Sequence, residues 1–192
     1  MRIMNTDSLL VSRADQFAAK AHASVGQLRS NNEPYIVHPR AVAAILFELG
    51  FEDISIAAAL LHDTVEDTPV TFAEIEDSFG KEVAILVQWL TKDDDPTIGN
   101  RQARCAHECE RIRHAPYMAK CIKLADITHN VTDIVQSSPG FAKRYVPEKK
   151  AMLDVLRDAD PRLIRMAEKA IERAETELAL ISRPNQKSGM HL

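Results

Sequence analysis

The segment Ile54-Ser55-Ile56-Ala57-Ala58-Ala59-Leu60-Leu61-His62-Asp63-Thr64-Val65-Glu66-Asp67-Thr68-Pro69 decides the fold. From Ile54 to Val65 it is apolar nearly all round a helical wheel, which suits a helix buried at the centre of other helices. Its uninterrupted apolar run, Ile56 to Leu61, falls far short of the roughly 20 residues that cross a bilayer. The neighbouring segments carry helical spacing as well. Val37 to Leu49 places Val42, Ile45, Leu46 and Leu49 on one face and stops at Gly50. Leu9 to Ala23 does the same with Leu10, Ala14, Phe17, Ala18 and Ala21.

Thr71 and Glu74 have capping-box spacing, which predicts a helix from Phe72 to Phe79 ending at Gly80. Further helices are expected over Lys81–Leu90, Gln102–Arg113, Pro116–Ile134 and Pro147–Leu156. Pro161 should open a last helix running to about Ile181. Asp93-Asp94-Asp95-Pro96 reads as a loop, and no internal repeat is present. The expectation is one all-α domain over residues 1–181, a single helical bundle, with 182–192 a polar, disordered tail.

Composition agrees. Of 192 residues, 45% are hydrophobic and 27% charged, enough to bury a core and stay soluble. Aromatics are only 5%, with six glycines, which does not suit a β sandwich or barrel. A net charge of −4 argues against a nucleic-acid polymer as partner, while leaving room for a small anionic ligand. Met1 to Arg13 lacks a signal-peptide core, and three cysteines make no disulfide framework. A cytoplasmic protein with no membrane partner is expected; oligomeric state is not legible.

The chemistry begins where the apolar helix ends. If the helical turn continues, His62 and Glu66 share a face, with Asp63 and Asp67 beside them. An imidazole and three carboxylates beside a core are costly unless something neutralises them, and a divalent cation does so. Two other segments supply matching groups: His38 within Tyr35-Ile36-Val37-His38-Pro39, and Asp126 with Asn130 in Ile122-Lys123-Leu124-Ala125-Asp126-Ile127-Thr128-His129-Asn130. The set His38, His62, Asp63 and Asp126 mixes nitrogen and oxygen donors, which favours manganese, iron or zinc over calcium. Cys105, His107, Cys109 and His114 do not have zinc spacing and read as ordinary helix residues. His22 and His129 read as supporting rather than ligating. Arg104, three residues from Arg101, and Lys123 are candidate phosphate contacts.

The order H…HD…D resembles the HD superfamily of metal-dependent phosphohydrolases. With Gly26-Gln27-Leu28-Arg29, Glu33-Pro34-Tyr35-Ile36-Val37-His38-Pro39 and His62-Asp63-Thr64-Val65-Glu66-Asp67-Thr68, the chain resembles the hydrolase domain of RelA/SpoT-type enzymes and the small alarmone hydrolases. That resemblance implies Mn²⁺ on His38, His62, Asp63 and Asp126. It implies Glu66 and Asp67 as the residues that orient and activate water, Asn130 near ribose or phosphate, and Arg29 stacked on the purine. The implied reaction is removal of 3′-pyrophosphate from (p)ppGpp or (p)ppApp. An HD-type 5′-nucleotidase or 3′-phosphatase is the alternative. A catalytically silent fold that binds nucleotide or partner proteins is a third reading, which the intact ligand set argues against.

The departures concern substrate contacts. The family's lysine after the arginine is Ser30 here, its cation after the metal-site aspartate is Ile127, and the threonine expected after the asparagine is Asp133. The reaction class therefore stands more firmly than guanine as the preferred base.

Overall fold

The computed structural model describes residues 8–93 and 95–182. The helices are α1 (Leu9–Ser24), α2 (Val37–Glu48), α3 (Asp53–Leu61), α4 (Thr64–Asp67), α5 (Phe72–Phe79), α6 (Lys81–Leu90), α7 (Arg101–Arg113), α8 (Tyr117–Ser137), α9 (Pro139–Val155) and α10 (Pro161–Ile181), with a short 3₁₀ turn at Pro96–Ile98. No strand occurs among the described residues, only an isolated bridge between Leu28 and Pro34. The fold is all-α. No described helix is long and apolar enough to cross a membrane. The expected tail lies outside the described residues, save for Ser182.

Two helices form the axis of the bundle. Every residue of α3 from Ser55 to Leu61 is buried, as its unbroken apolar sequence requires. It packs against α1, α2, α6 and α8. The other axis is α8, whose stretch from Ala119 to Ile127 is buried without a gap and which packs on α2, α6, α9 and α10. Burying Lys120, Lys123 and Asp126 in that stretch requires partners: Lys120 pairs with Asp158 beyond α9, while Lys123 and Asp126 pair with each other beside the end of α3.

Local signals set most boundaries. Thr71 and Glu74 form the full capping box, each side chain bonding the other's backbone. Gly50 takes a φ of 78° just beyond α2, a left-handed geometry that a side chain disfavours. Pro161 stands at the start of α10, whose N-cap Asp160 accepts from Arg162 N–H.

Three boundaries differ from expectation by three residues or more. The helix predicted over Ile54–Val65 ends at Leu61, and a separate single turn, α4, follows. Local side chains cause the break: Thr64 Oγ1 donates to Leu61 O at 2.7 Å, and His62 Nδ1 donates to Ala59 O at 2.8 Å. The helix predicted from Pro147 instead begins at Pro139 and runs through Pro147. Pro139 supplies the N1 proline. Pro147 is exposed, so water can satisfy the carbonyl that loses its helical partner. Similarly, α8 continues three residues past the expected Ile134.

Candidate metal centre and catalytic cleft

The break after Leu61 brings His62 and Asp63 to face α2 and α8. His38, in the first turn of α2, and His62 are each 1% exposed. His38 Nε2 lies 3.2 Å from Asp126 Oδ1 and 3.6 Å from Asp63 Oδ2. His62 Nε2 lies 3.1 Å from Asp63 Oδ2 and 3.9 Å from Asp126 Oδ1. Donors about 2.1 Å from one ion stand roughly 3.0–3.4 Å from each other in octahedral or tetrahedral geometry, so these spacings suit a shared cation. Among the described residues His38, His62 and Asp126 form the one compact ligand group, and Asp63 faces the same two nitrogens.

Tautomers sharpen this. His62 Nδ1 is committed to the Ala59 carbonyl, and His38 Nδ1 is 2.9 Å from His129 Nδ1. Burial, with repulsion from His38 and Arg29, lowers the His129 pKa to about 4, so this ring is neutral, and in the tautomer that carries its proton on Nε2 it accepts from His38 Nδ1–H. Both Nε2 atoms are thereby left buried without a hydrogen-bond partner among the described residues. A buried, unpartnered lone pair is costly unless it binds something. The two Nε2 atoms converge on two carboxylates, the arrangement in which imidazole ligates a metal while its other nitrogen is fixed from behind.

Electrostatics fit as well. Burial opposes charge on Asp63 and Asp126, but it is outweighed by His62 and His38 together for Asp63, and by Lys123, 3.1 Å from Asp126 Oδ2, with His38 and His62 for Asp126. Both carboxyls lie below their usual range and are ionised. They also overcome the burial of His62 and push its pKa up to about 9. The carboxylates thus draw positive charge to the imidazole nitrogens, which a proton or a metal cation supplies.

Around this centre a cleft of about 330 Å³ is lined by Asp63, Glu66, Asp67, Asp126, Lys92 and Lys123 among others. The two acids of α4 are held differently. Glu66 is paired with Lys92 Nζ and also accepts from the Lys92 backbone N–H. Asp67 Oδ2 accepts from Gln27 Nε2 at 2.9 Å, and Gln27 Oε1 lies 2.7 Å from His22 Nδ1. His22 therefore fixes the orientation of the Gln27 amide. Tyr35 donates to Asp63 Oδ2 at 2.6 Å. Gln27 and Tyr35 stand together because the α1–α2 loop doubles back, with Tyr35 N bonded to Gln27 O and Gly26 at φ 64°.

The expected substrate residues separate into two places. Asn130 donates to Asp126 Oδ1 at 2.6 Å and accepts from Arg29 at 3.1 Å, tying the metal position to a second cavity of about 270 Å³. Leu28, Arg29, Ile134, Phe141 and Tyr145 line that cavity, with Asp133 3.7 Å from the Arg29 guanidinium. Lys123 is buried against Asp126 within the catalytic cleft. Arg104 stands apart, in a third cavity beside the cleft, donating to Gly99 O at 2.5 Å. Lys92, Tyr145 and Lys149 also line the cleft; no local motif announces Lys92 or Tyr145, and none sets Lys149 apart from the other basic residues around it. Cys105, Cys109 and Cys121 are free thiols, and His107 contacts Asp93 rather than a sulfur ligand.

The HD-domain family profile matches residues 14–169. The chain belongs to the HD-domain family. Within it, this member is 40% identical over 148 residues to guanosine-3′,5′-bis(diphosphate) 3′-pyrophosphohydrolase MESH1 of Xenopus tropicalis, covering 76% of this chain and 81% of that one. The Danio rerio MESH1 is 40% identical over 135 residues, covering 69% and 73%. The bifunctional (p)ppGpp synthase/hydrolase SpoT of Escherichia coli K12 is also 40% identical, but the match spans only 18% of that longer protein. Among solved structures, one described as a metazoan ortholog of SpoT that hydrolyzes ppGpp superposes with a TM-score of 0.78, at 29% identity over 88% of this chain and 97% of that one.

Proposed function

We propose that this HD-domain protein is a metal-dependent 3′-pyrophosphohydrolase of purine alarmones, (p)ppGpp and (p)ppApp, with His38, His62, Asp63 and Asp126 holding one Mn²⁺. The observation that carries the reading is the pair of buried, unpartnered Nε2 atoms facing two ionised carboxylates, beside the acids of α4. The MESH1 relatives supply the reaction class. A bound divalent ion lowers the pKa of coordinated water and offsets charge on phosphoryl oxygens.

The chain's own groups do the rest. Asn130 and Arg29 place the nucleoside between the base cavity and the cleft. Asp67, held by Gln27, accepts the proton of the attacking water, while Glu66 is engaged by Lys92 and orients it. The water oxygen bonds to the phosphorus attached at the ribose 3′-oxygen, and the P–O3′ bond breaks. The 3′-oxygen takes up a proton, and the products are a 5′-nucleotide with a free 3′-hydroxyl and pyrophosphate. Cytoplasmic residence belongs to this proposal, since the substrates are intracellular nucleotides.

Purified protein with Mn²⁺ should be incubated with ppGpp, ppApp and simple nucleotides, and its products separated. The reading expects stoichiometric pyrophosphate from at least one alarmone. Orthophosphate from another nucleotide, with neither alarmone cleaved, would replace it by the nucleotidase or phosphatase alternative.

A further inference from the structure

Next to the catalytic cleft lies a basin of about 380 Å³ bordered by Lys92, Arg104, His107, Phe141, Tyr145 and Lys149, among others. It shares Lys92, Tyr145 and Lys149 with the cleft, while the cavity holding Arg29 opens beside Asn130. The three spaces meet at Tyr145, which borders all of them, and the base cavity and the basin also share Phe141.

Charge in the basin is not internally balanced. Lys92 is paired with Glu66, Arg101 with Glu148, His107 with Asp93, and Glu108, also on the basin wall, is held by Arg111 at 2.8 Å. Lys149 and Arg104 have no carboxylate partner among the described residues. Arg104 donates only to the Gly99 carbonyl, and the half-buried Lys149 ammonium stands 4.8 Å from the centroid of the Tyr145 ring. Burial and repulsion from Lys123 lower the Lys149 pKa to about 8. A partly desolvated cation among other cations is unfavourable by itself, and an anion in the basin would relieve it.

The cleft shows when that anion enters. Four carboxylates and three ammonium groups line it: Asp63, Glu66, Asp67 and Asp126 against Lys92, Lys123 and Lys149. With every one of these charged the lining sums to a single negative charge, which a protonated His62 beside it offsets in the metal-free protein. A divalent cation in place of that proton makes the site net positive, so the metal-loaded protein is the form that draws an anion into the basin.

We propose that the basin is the subsite for the terminal phosphate of the 3′-pyrophosphate, with Lys149 and Arg104 as the cations that distinguish a pyrophosphate from a single phosphate. The proposal rests on the function proposed above, because the reacting phosphorus must lie in the cleft for its neighbour to reach the basin. It also assigns the preference for pyrophosphate release: a 3′-monophosphate fills the cleft and leaves both cations unpaired.

The test is equilibrium dialysis of radiolabelled inorganic pyrophosphate against the metal-loaded full chain at fixed free metal, with orthophosphate as the comparison. Wild type should bind pyrophosphate at least tenfold more tightly than orthophosphate. Lys149→Met should lose at least tenfold of pyrophosphate affinity and little for orthophosphate, and Lys149→Arg should regain most of it. Arg104→Ala, on the exposed face of α7, is the independent arm and should lose severalfold. Thermal melts of each variant report folding. Pyrophosphate bound equally by wild type and both variants, or no better than orthophosphate by wild type, would overturn the proposal. Pyrophosphate binding that follows this pattern while no alarmone is cleaved would refute the proposed function and leave the anion subsite standing.

Discussion

Gln27→Leu isolates the hydrogen-bond chain behind Asp67. Leucine is close in volume but can neither donate to Asp67 nor accept from His22, so two contacts of 2.9 and 2.7 Å vanish together. A hydrogen bond to a charged group contributes about 1.5–3 kcal/mol. If Asp67 needs that bond to face the water, kcat should fall about 10- to 150-fold. The stranded Nδ1–H of the buried His22 should also cost about 1–3 kcal/mol of stability. For a chain of this size that lowers Tm by roughly 2–12 °C. Metal content should not change, because Gln27 touches none of the four proposed ligands. The assays are steady-state hydrolysis, thermal melting and metal analysis on the same preparations. In a double-mutant cycle, Gln27→Leu should add little once Asp67→Asn is present. A kcat within twofold of wild type, or equal rate losses from Gln27→Leu in both backgrounds, would refute the reasoning.

Three other outcomes follow from the same geometry. Chelation should lower Tm, since an ion at one hundred times its Kd stabilises the folded state by about 2.7 kcal/mol; an unchanged melt would mean the ion is not bound by the fold. Pro147→Ala should raise stability by up to about 3 kcal/mol by restoring a hydrogen bond inside α9, and denaturant unfolding that shows a loss would mean the helix needs its proline. Lys149 carries a folded pKa of about 8 against an ordinary 10.5, because burial and neighbouring lysines disfavour its charge. Its charged form therefore costs stability below pH 8, and the cost fades between pH 8 and 10.5. Ligand-free Lys149→Met should be more stable than wild type at pH 7 and lose that advantage by pH 10; an equal gap at both pH values would remove the electrostatic cause.

The parts legible in the sequence are those with short-range physical causes. The capping box at Thr71 and Glu74, the stop at Gly50 and the start at Pro161 each act within one helical turn. The buried character of α3 could be read from its composition alone. The break after Leu61 could not, because it depends on Thr64 and His62 bonding backwards to carbonyls that an uninterrupted helix would also use. Pro147 misled for a related reason: proline opens helices more often than it is carried inside them, and only its exposure makes the interior position tolerable. In the site, the imidazoles and aspartates stood out as polar residues in apolar helices, and the structure brings His38, His62, Asp63 and Asp126 together. Lys92, in the loop after α6, and Tyr145 did not stand out, and Lys149 was one of several basic residues of α9, from which only tertiary packing selects the one that turns inward. Arg104 was marked by its charge, but the structure places it in the neighbouring basin rather than in the cleft.

The central claim is that one cation sits between His38, His62, Asp63 and Asp126 while Glu66 stands outside its ligand set. Metal bound per chain, measured by plasma mass spectrometry after equilibration with Mn²⁺ and dialysis, tests it directly. The expected result is one ion in wild type and in Glu66→Ala, and none in Asp63→Ala or His62→Ala, with each variant folded. A full complement of metal in Asp63→Ala, or equal loss in Asp63→Ala and Glu66→Ala, would contradict it.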